Sequence, residues 1–224
     1  MICFHFNSYR NFQHYYMFFI KEHLADMFPH LLSYNRFLEL EARVSLEMMM
    51  FLQIFCFGRC TGISFIDSTC IPVCHNKRIY RNKVFRNYAT RGKSTMGWYF
   101  GFKLHLMCNE RGEVLNFMLT KANVDDRDKN VFNRLTDNVF GKLFADKGYI
   151  SQGLFERLFN DGINLVTAIR SNMKNKLMPL YDRLLLRKRS VIETINDELN
   201  NTRVRDKKRL EKVGNLVKNS YLYR

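Results

Sequence analysis

Asp67 closes one apolar run, Ile63-Ser-Phe-Ile-Asp67, and Asp146 closes another, Leu143-Phe-Ala-Asp146, ahead of Lys147 and Gly148. Glu193 lies in a basic helical pattern between Leu184 and Asp197. Carboxylates on three separate elements can converge from rigid supports on hard divalent cations, which take oxygen ligands and keep some water. Two such ions roughly 3.5–4 Å apart stabilise both the attacking and the leaving oxygen of an in-line displacement at phosphorus. Each residue also has a plainer explanation. Asp67 can form a turn with Ser68 and Thr69, and Asp146 an Asx turn. Glu193 can be a surface glutamate paired with Arg189 one helical turn before it.

The chain around them is strongly basic. Lys and Arg number 36 against 21 Asp and Glu, a formal charge of +15 over 224 residues. Such an excess favours a polyanionic partner, because each neutralised phosphate releases condensed counterions. With 46% hydrophobic residues a packed core is expected and global disorder is not. Six cysteines at this length do not make a disulfide scaffold. The longest apolar run, Met48 to Phe57, is shorter than the about 20 residues a membrane span takes. No signal peptide is recognisable in the first residues. The expectation is a soluble, cytoplasmic protein without a membrane partner.

The elements that must position the carboxylates follow from periodicity. Residues 1–20 are aromatic with weak periodicity, and residues 20–57 read as helical, Ser33 preceding the pattern and Met48 to Phe57 forming a buried helix. Strand grammar begins at Ile63–Asp67. Residues 74–97 read as a loop or irregular hairpin. Tyr99–Met107 alternates, with Phe100, Phe102, Leu104 and Leu106 on one face and Lys103 and His105 on the other, the histidine solvated or near DNA. Asn109-Glu-Arg-Gly112 marks a turn into a strand from Val114 to Leu119. A helix is predicted over Asp125–Val139, with an acidic first turn, and a strand over Lys142–Asp146. Ser151 caps a helix to Phe159 that Gly162 ends, and Ile163–Ile169 is the last strand. Leu177, Leu180, Leu184, Val191, Ile195 and Leu199 form the stripe of one long helix. The order implies an α/β fold, a mixed sheet with helices on its faces.

Several stretches together resemble the DDE transposases of bacterial insertion sequences. They are Phe65-Ile-Asp67-Ser-Thr69, Gly97-Trp-Tyr-Phe-Gly-Phe-Lys-Leu-His105, Asn123-Val-Asp-Asp-Arg127, Ala145-Asp-Lys-Gly-Tyr-Ile150 and Leu186 to Asp197. The resemblance covers about Phe28 to Asn201 and implies a ribonuclease-H-like catalytic core over 62–201, behind a helical region over 1–61 for which two roles stand open, DNA binding or capping of the core. It implies Asp67, Asp146 and Glu193 as the catalytic triad holding two Mg²⁺ (or Mn²⁺) ions. The implied reaction is metal-dependent cleavage of double-stranded DNA at the element's ends and strand transfer into target DNA, by a homo-oligomer at the bacterial nucleoid. Seventy-nine positions separate Asp67 from Asp146 and 47 separate Asp146 from Glu193, which leaves no room for the large β domain some relatives insert there. Those relatives place a Tyr seven before the Glu, an Arg four before and a Lys seven after; here Leu186, Arg189 and Asn200 stand there, and only the Arg matches.

Phosphate contacts are expected from Lys77, Arg78, Arg81, Lys83, Arg86, Arg91 and Lys93, interleaved with Tyr80, Phe85 and Tyr88, and from Lys103 and Lys147. Arg189 is expected to orient Glu193 and to lie at the DNA. Asp125, Asp126 and Asp128 fit capping of a helix better than a metal. Cys70-x-x-x-Cys74-His75 resembles half a zinc site without a matching second pair; Cys56 and Cys60 fall in an apolar pattern and are expected to be buried. From Thr202 the sequence turns into a basic, polar tail over 202–224 that reads as aberrant, as in a truncated or frameshifted copy. The alternative function is therefore an inactive transposase remnant that only binds DNA.

Overall fold

The computed structural model describes residues 9, 12–28, 30–83, 85–168 and 178–205. The chain divides into two compact units, residues 1–53 with 198–224, and residues 54–197.

In the first unit Phe12, Tyr15, Tyr16 and Phe19 recur at helical spacing, a stripe hidden among the other aromatics of residues 1–20. They form α1 (Phe12–Tyr15) and a π turn (Tyr16–Ile20) that runs into α2 (Lys21–His23). Phe12, Tyr15, Tyr16 and Ile20 are buried against Phe37 and Leu38, and the Tyr16 hydroxyl donates to the Leu32 carbonyl. Ser33 caps α3 (Tyr34–Arg43), its side chain accepting from the Arg36 amide at 3.4 Å. The expected buried helix at Met48–Phe57 is instead α4 (Ser45–Phe51) followed by a π turn (Leu52–Cys56). Met50, Phe51, Ile54 and Phe55 are exposed, and so is Cys56.

The second unit is built on one six-stranded sheet: β1 (Ile63–Cys74), β2 (Thr90–Ser94), β3 (Gly97–Asn109), β4 (Val114–Lys121), β5 (Gly141–Ala145) and β6 (Ile163–Thr167). The order is β2-β3-β1-β5-β6, with β4 also on β3. β1, β5 and β6 are parallel, and β3 runs antiparallel to β1, β2 and β4. The Asn109–Gly112 turn forms as expected: Asn109 Oδ1 accepts from the amides of Arg111 and Glu113, both at 3.0 Å, and Gly112 takes φ +81°.

Alternation along the strands divides the core. Ile66, Met107, Leu143, Ala145 and Leu165 point to α5 (Lys129–Leu135) and α6 (Gln152–Asn160). Phe65, Leu106, Phe144 and Val166 point the other way, where Leu185 and Ile192 meet them from α7 (Leu180–Lys188) and α8 (Ser190–Arg205). Helices on both faces of this mixed sheet make the ribonuclease-H-like fold. No helix among the described residues is long and apolar enough to cross a membrane.

Several elements depart from the pattern reading. β1 runs past Asp67 to Cys74, because β3 supplies partners out to Phe100. The 74–97 stretch contains a 3₁₀ turn (Asn76–Arg81) and β2, which pairs with β3 as a hairpin. The Asp125–Val139 helix shrinks to α5, since Asp128 takes the cap by accepting from the amides of Asn130 and Val131 (2.8 and 3.2 Å). The Ser151 side chain makes no cap bond to α6, while Gly162 ends that helix with φ +78°. β6 ends at Thr167, and Ile169 and Leu177 lie outside the described residues. The one long helix is two, separated at Arg189. Leu180, Leu184 and Leu199 of the expected stripe are exposed, while Leu185 and Ile192 enter the core.

Candidate active site

The parallel ladder between β1 and β5 pairs Phe65 with Phe144. Asp67 and Asp146 each stand two residues beyond that pair, so they share its face of the sheet. That face is the one α7 and α8 cover. Asp67 is therefore not at a strand's end; it sits where β1 outruns β5, with β3 still paired to it through Leu106.

Arg189, at the break between the helices, gathers the three carboxylates. Its Nη2 lies 2.6 Å from Glu193 Oε1 and 3.8 Å from Asp146 Oδ1, and its Nη1 3.9 Å from Asp67 Oδ1. The Glu193 contact spans one helical turn, which the i, i+4 spacing allows. Asp67 is the least exposed of the three, at 22% against 56% for Asp146 and 49% for Glu193. Burial raises its pKa above the ordinary value, against the lowering effects of Asn196, Arg189 and the Ser68 amide, while Glu193 adds to the rise.

Asn196, one turn beyond Glu193 on α8, escaped the sequence reading. It is buried and donates from Nδ2 to Asp67 Oδ2 at 2.9 Å. A polar residue at a core-facing position of a helix was the available signal. Lys142 was missed too: its ammonium binds Asp182 at 2.6 Å and ties β5 to α7.

The donor chemistry suits a hard divalent cation. Three carboxylates face one guanidinium, a net formal charge of −2 over these four side chains. Among the described residues no three Asp, Glu, His or Cys side chains stand close enough to hold one ion between them. The carboxylates surround Arg189, and sharing an ion requires them to turn from it.

A second polar cluster lies on the opposite face of β3. Lys103 Nζ binds Asp126 Oδ1 at 3.0 Å and the Val124 carbonyl at 2.8 Å. His105, expected to be solvated, is fully buried and bonds Thr120 Oγ1 at 3.0 Å. Burial lowers its pKa to about 4, with Asp126 opposing that and Lys103 assisting it. The ring is thus neutral at pH 7, and Asp126 pairs with Lys103. Asp125 is held by Arg127 through two oxygens, at 2.9 and 2.8 Å, and its pKa is lowered chiefly by that side-chain bond.

Of the expected DNA contacts, Arg78, Arg81, Lys83, Arg91 and Lys93 are exposed along the 3₁₀ turn, the following loop and β2. Lys147 is exposed beside Asp146. Lys103 and Arg189 are engaged with carboxylates, with 12% and 18% of their side chains exposed.

A transposase DDE domain family model matches residues 57–212, beginning later than Phe28 and continuing past Asn201. No curated protein matches the chain. Among solved structures, a piggyBac transposase synaptic complex with hairpin DNA aligns at 16% identity and a TM-score of 0.38 over 64% of this chain. The chain spans 31% of that transposase. With the family model covering most of its length, the chain belongs to the DDE transposase family, whose members generally use divalent metal ions.

Proposed function

We propose that this chain is a bacterial insertion-sequence transposase that cuts double-stranded DNA at its element's ends and joins them to target DNA. Residues 62–201 form its catalytic domain, residues 1–61 a helical region, and the working form is a homo-oligomer on DNA. Asp67, Asp146 and Glu193 hold two Mg²⁺ or Mn²⁺ ions. The observation that carries this reading is the convergence of the three carboxylates on Arg189, within 3.9 Å, from β1, the end of β5 and α8.

Bound divalent ions supply charge stabilisation at the attacking and leaving oxygens in such chemistry. Asn196 fixes one oxygen of Asp67, leaving the other toward Arg189. Arg189 holds Glu193 and offsets part of the carboxylates' mutual repulsion until a cation takes over that role. Asp146 and Glu193 are open to solvent, the side from which a phosphodiester approaches. The exposed cations from Arg78 to Lys93, with Lys147, neutralise backbone phosphates. Lys103 contributes by bracing the Asp126 loop.

The test is nicking of a duplex carrying the sequence that flanks the coding region. Mg²⁺-dependent nicks that EDTA removes are expected, and strand transfer separates a transposase from a plain nuclease. Full activity in Asp67→Asn overturns the assignment. A second reading, a DNA-binding remnant without catalysis, draws on Arg189 standing among the carboxylates. It predicts DNA binding by the unmodified chain with no metal-dependent cut.

A further inference from the structure

We infer that the tip of the β2–β3 hairpin is a base-stacking platform for unpaired DNA, anchored by Trp98. The inference rests on the DNA reading above and extends it to a class of substrate structure. Trp98 is the chain's one tryptophan and is 63% exposed. Met96 at the turn is 98% exposed, and Tyr80 on the neighbouring 3₁₀ turn is 87% exposed.

These groups sit on an ordered frame. Trp98 pairs in register with Lys93, whose ammonium stands 6.0 Å from the centre of its ring. The Asn76 amide donates to the Trp98 carbonyl at 2.6 Å, tying the turn that carries Tyr80 to β3. Gly97 provides the left-handed turn, φ +111°, with open space around it.

Charge identifies the occupant. Residues 75–98 carry seven Lys or Arg and no Asp or Glu. Flat apolar faces set among cations suit nucleobases linked by phosphates. A paired duplex keeps its base faces stacked away, whereas an unpaired strand presents them. Strand parity puts Trp98 on the same sheet face as Leu106, which pairs with Asp67. Eight residues separate Trp98 from Leu106, about 26 Å at ~3.3 Å each. The platform therefore engages DNA on the side of the carboxylates but at a distance from the reacting phosphate.

The experiment is a binding titration of the full chain with a labelled single-stranded oligonucleotide and with the matching duplex, read by anisotropy and by Trp98 emission. The single strand is expected to quench the emission more than the duplex does. Trp98→Ala is expected to weaken single-strand binding about tenfold, the worth of one stacked base, with duplex binding nearly unchanged. Trp98→Phe should recover most of the loss and controls for folding. An unchanged preference in Trp98→Ala overturns the proposal. So does a change in oligomeric state on sedimentation with unchanged preference, which assigns the patch to a second copy of the chain. If the unmodified chain binds neither DNA, the DNA reading fails as well. Loss of preference with duplex binding retained separates the two.

Discussion

Asn196 donates from Nδ2 to Asp67 Oδ2 at 2.9 Å, joining residues 129 positions apart. This bond closes the last described helix onto the first strand and fixes the most buried carboxylate of the site. The Asn196 carbonyl oxygen is buried and has no hydrogen-bond partner among the described residues. Asn196 is thus a positioning residue for Asp67.

Replacing it tests that role. Asn196→Ala should raise the Mn²⁺ concentration for half-maximal cleavage by about 10-fold or more, the usual cost of losing a hydrogen bond that orients a metal ligand. Cleavage measured over a Mn²⁺ series, beside a melting curve showing a folded variant, checks this. An unchanged midpoint would mean the bond is only structural.

Arg189 is predicted to trade places with a cation. In Arg189→Gln the three carboxylates lose their shared counter-charge, so the metal-free variant should melt below the unmodified protein. Added Mn²⁺ should then stabilise the variant by about 2.7 kcal/mol at a concentration 100 times its Kd, and the unmodified protein by less. Differential scanning fluorimetry with and without Mn²⁺ reads the difference.

His105 predicts a pH dependence of stability. Its folded pKa is lowered, to about 4 from 6.5, so the unfolded chain takes up the proton first as pH falls. The stability it contributes is fully present above pH 6.5 and is lost as pH falls toward about 4, on the order of 3 kcal/mol in all. Urea melts of His105→Gln, which can still bond Thr120, should show a shallower loss across that window.

Gly101 predicts a packing limit. A side chain there would meet the Ile71 carbonyl across the β1–β3 ladder. Gly101→Ala should therefore cost about 1–3 kcal/mol, the range for overpacking a close-fitted site, visible as a lower denaturant midpoint.

What the pattern could and could not reveal follows from where the physics is local. The turn at Asn109–Gly112 is set by neighbours in sequence and formed as expected, and of the alternating stripe Phe100, Phe102 and Leu106 are buried while Leu104 is half-buried. Asp67 and Asp146 were legible because each follows an apolar run, but their common face depends on the Phe65–Phe144 pairing. The break at Arg189 was not legible, because Leu184 to Leu199 has helical spacing on both sides of it. His105 looked solvated from its place beside Lys103. It is buried because Thr120 and the Asp126 loop cover that face, contacts that only the tertiary fold brings together. Lys142 was invisible for the same reason, its partner Asp182 lying 40 positions away; Asn196 showed only as a polar residue on a core-facing helix position, its partner Asp67 lying 129 positions away.

The central claim is that Asp67, Asp146 and Glu193 act together as one metal-dependent cutting site. Single-turnover nicking of an end-bearing duplex with Mn²⁺ tests it most directly, comparing the unmodified chain with Asp67→Asn, Asp146→Asn and Glu193→Gln. Each substitution should lower the rate by at least about 100-fold while duplex binding persists. A variant that binds DNA and cuts at the unmodified rate would contradict the claim.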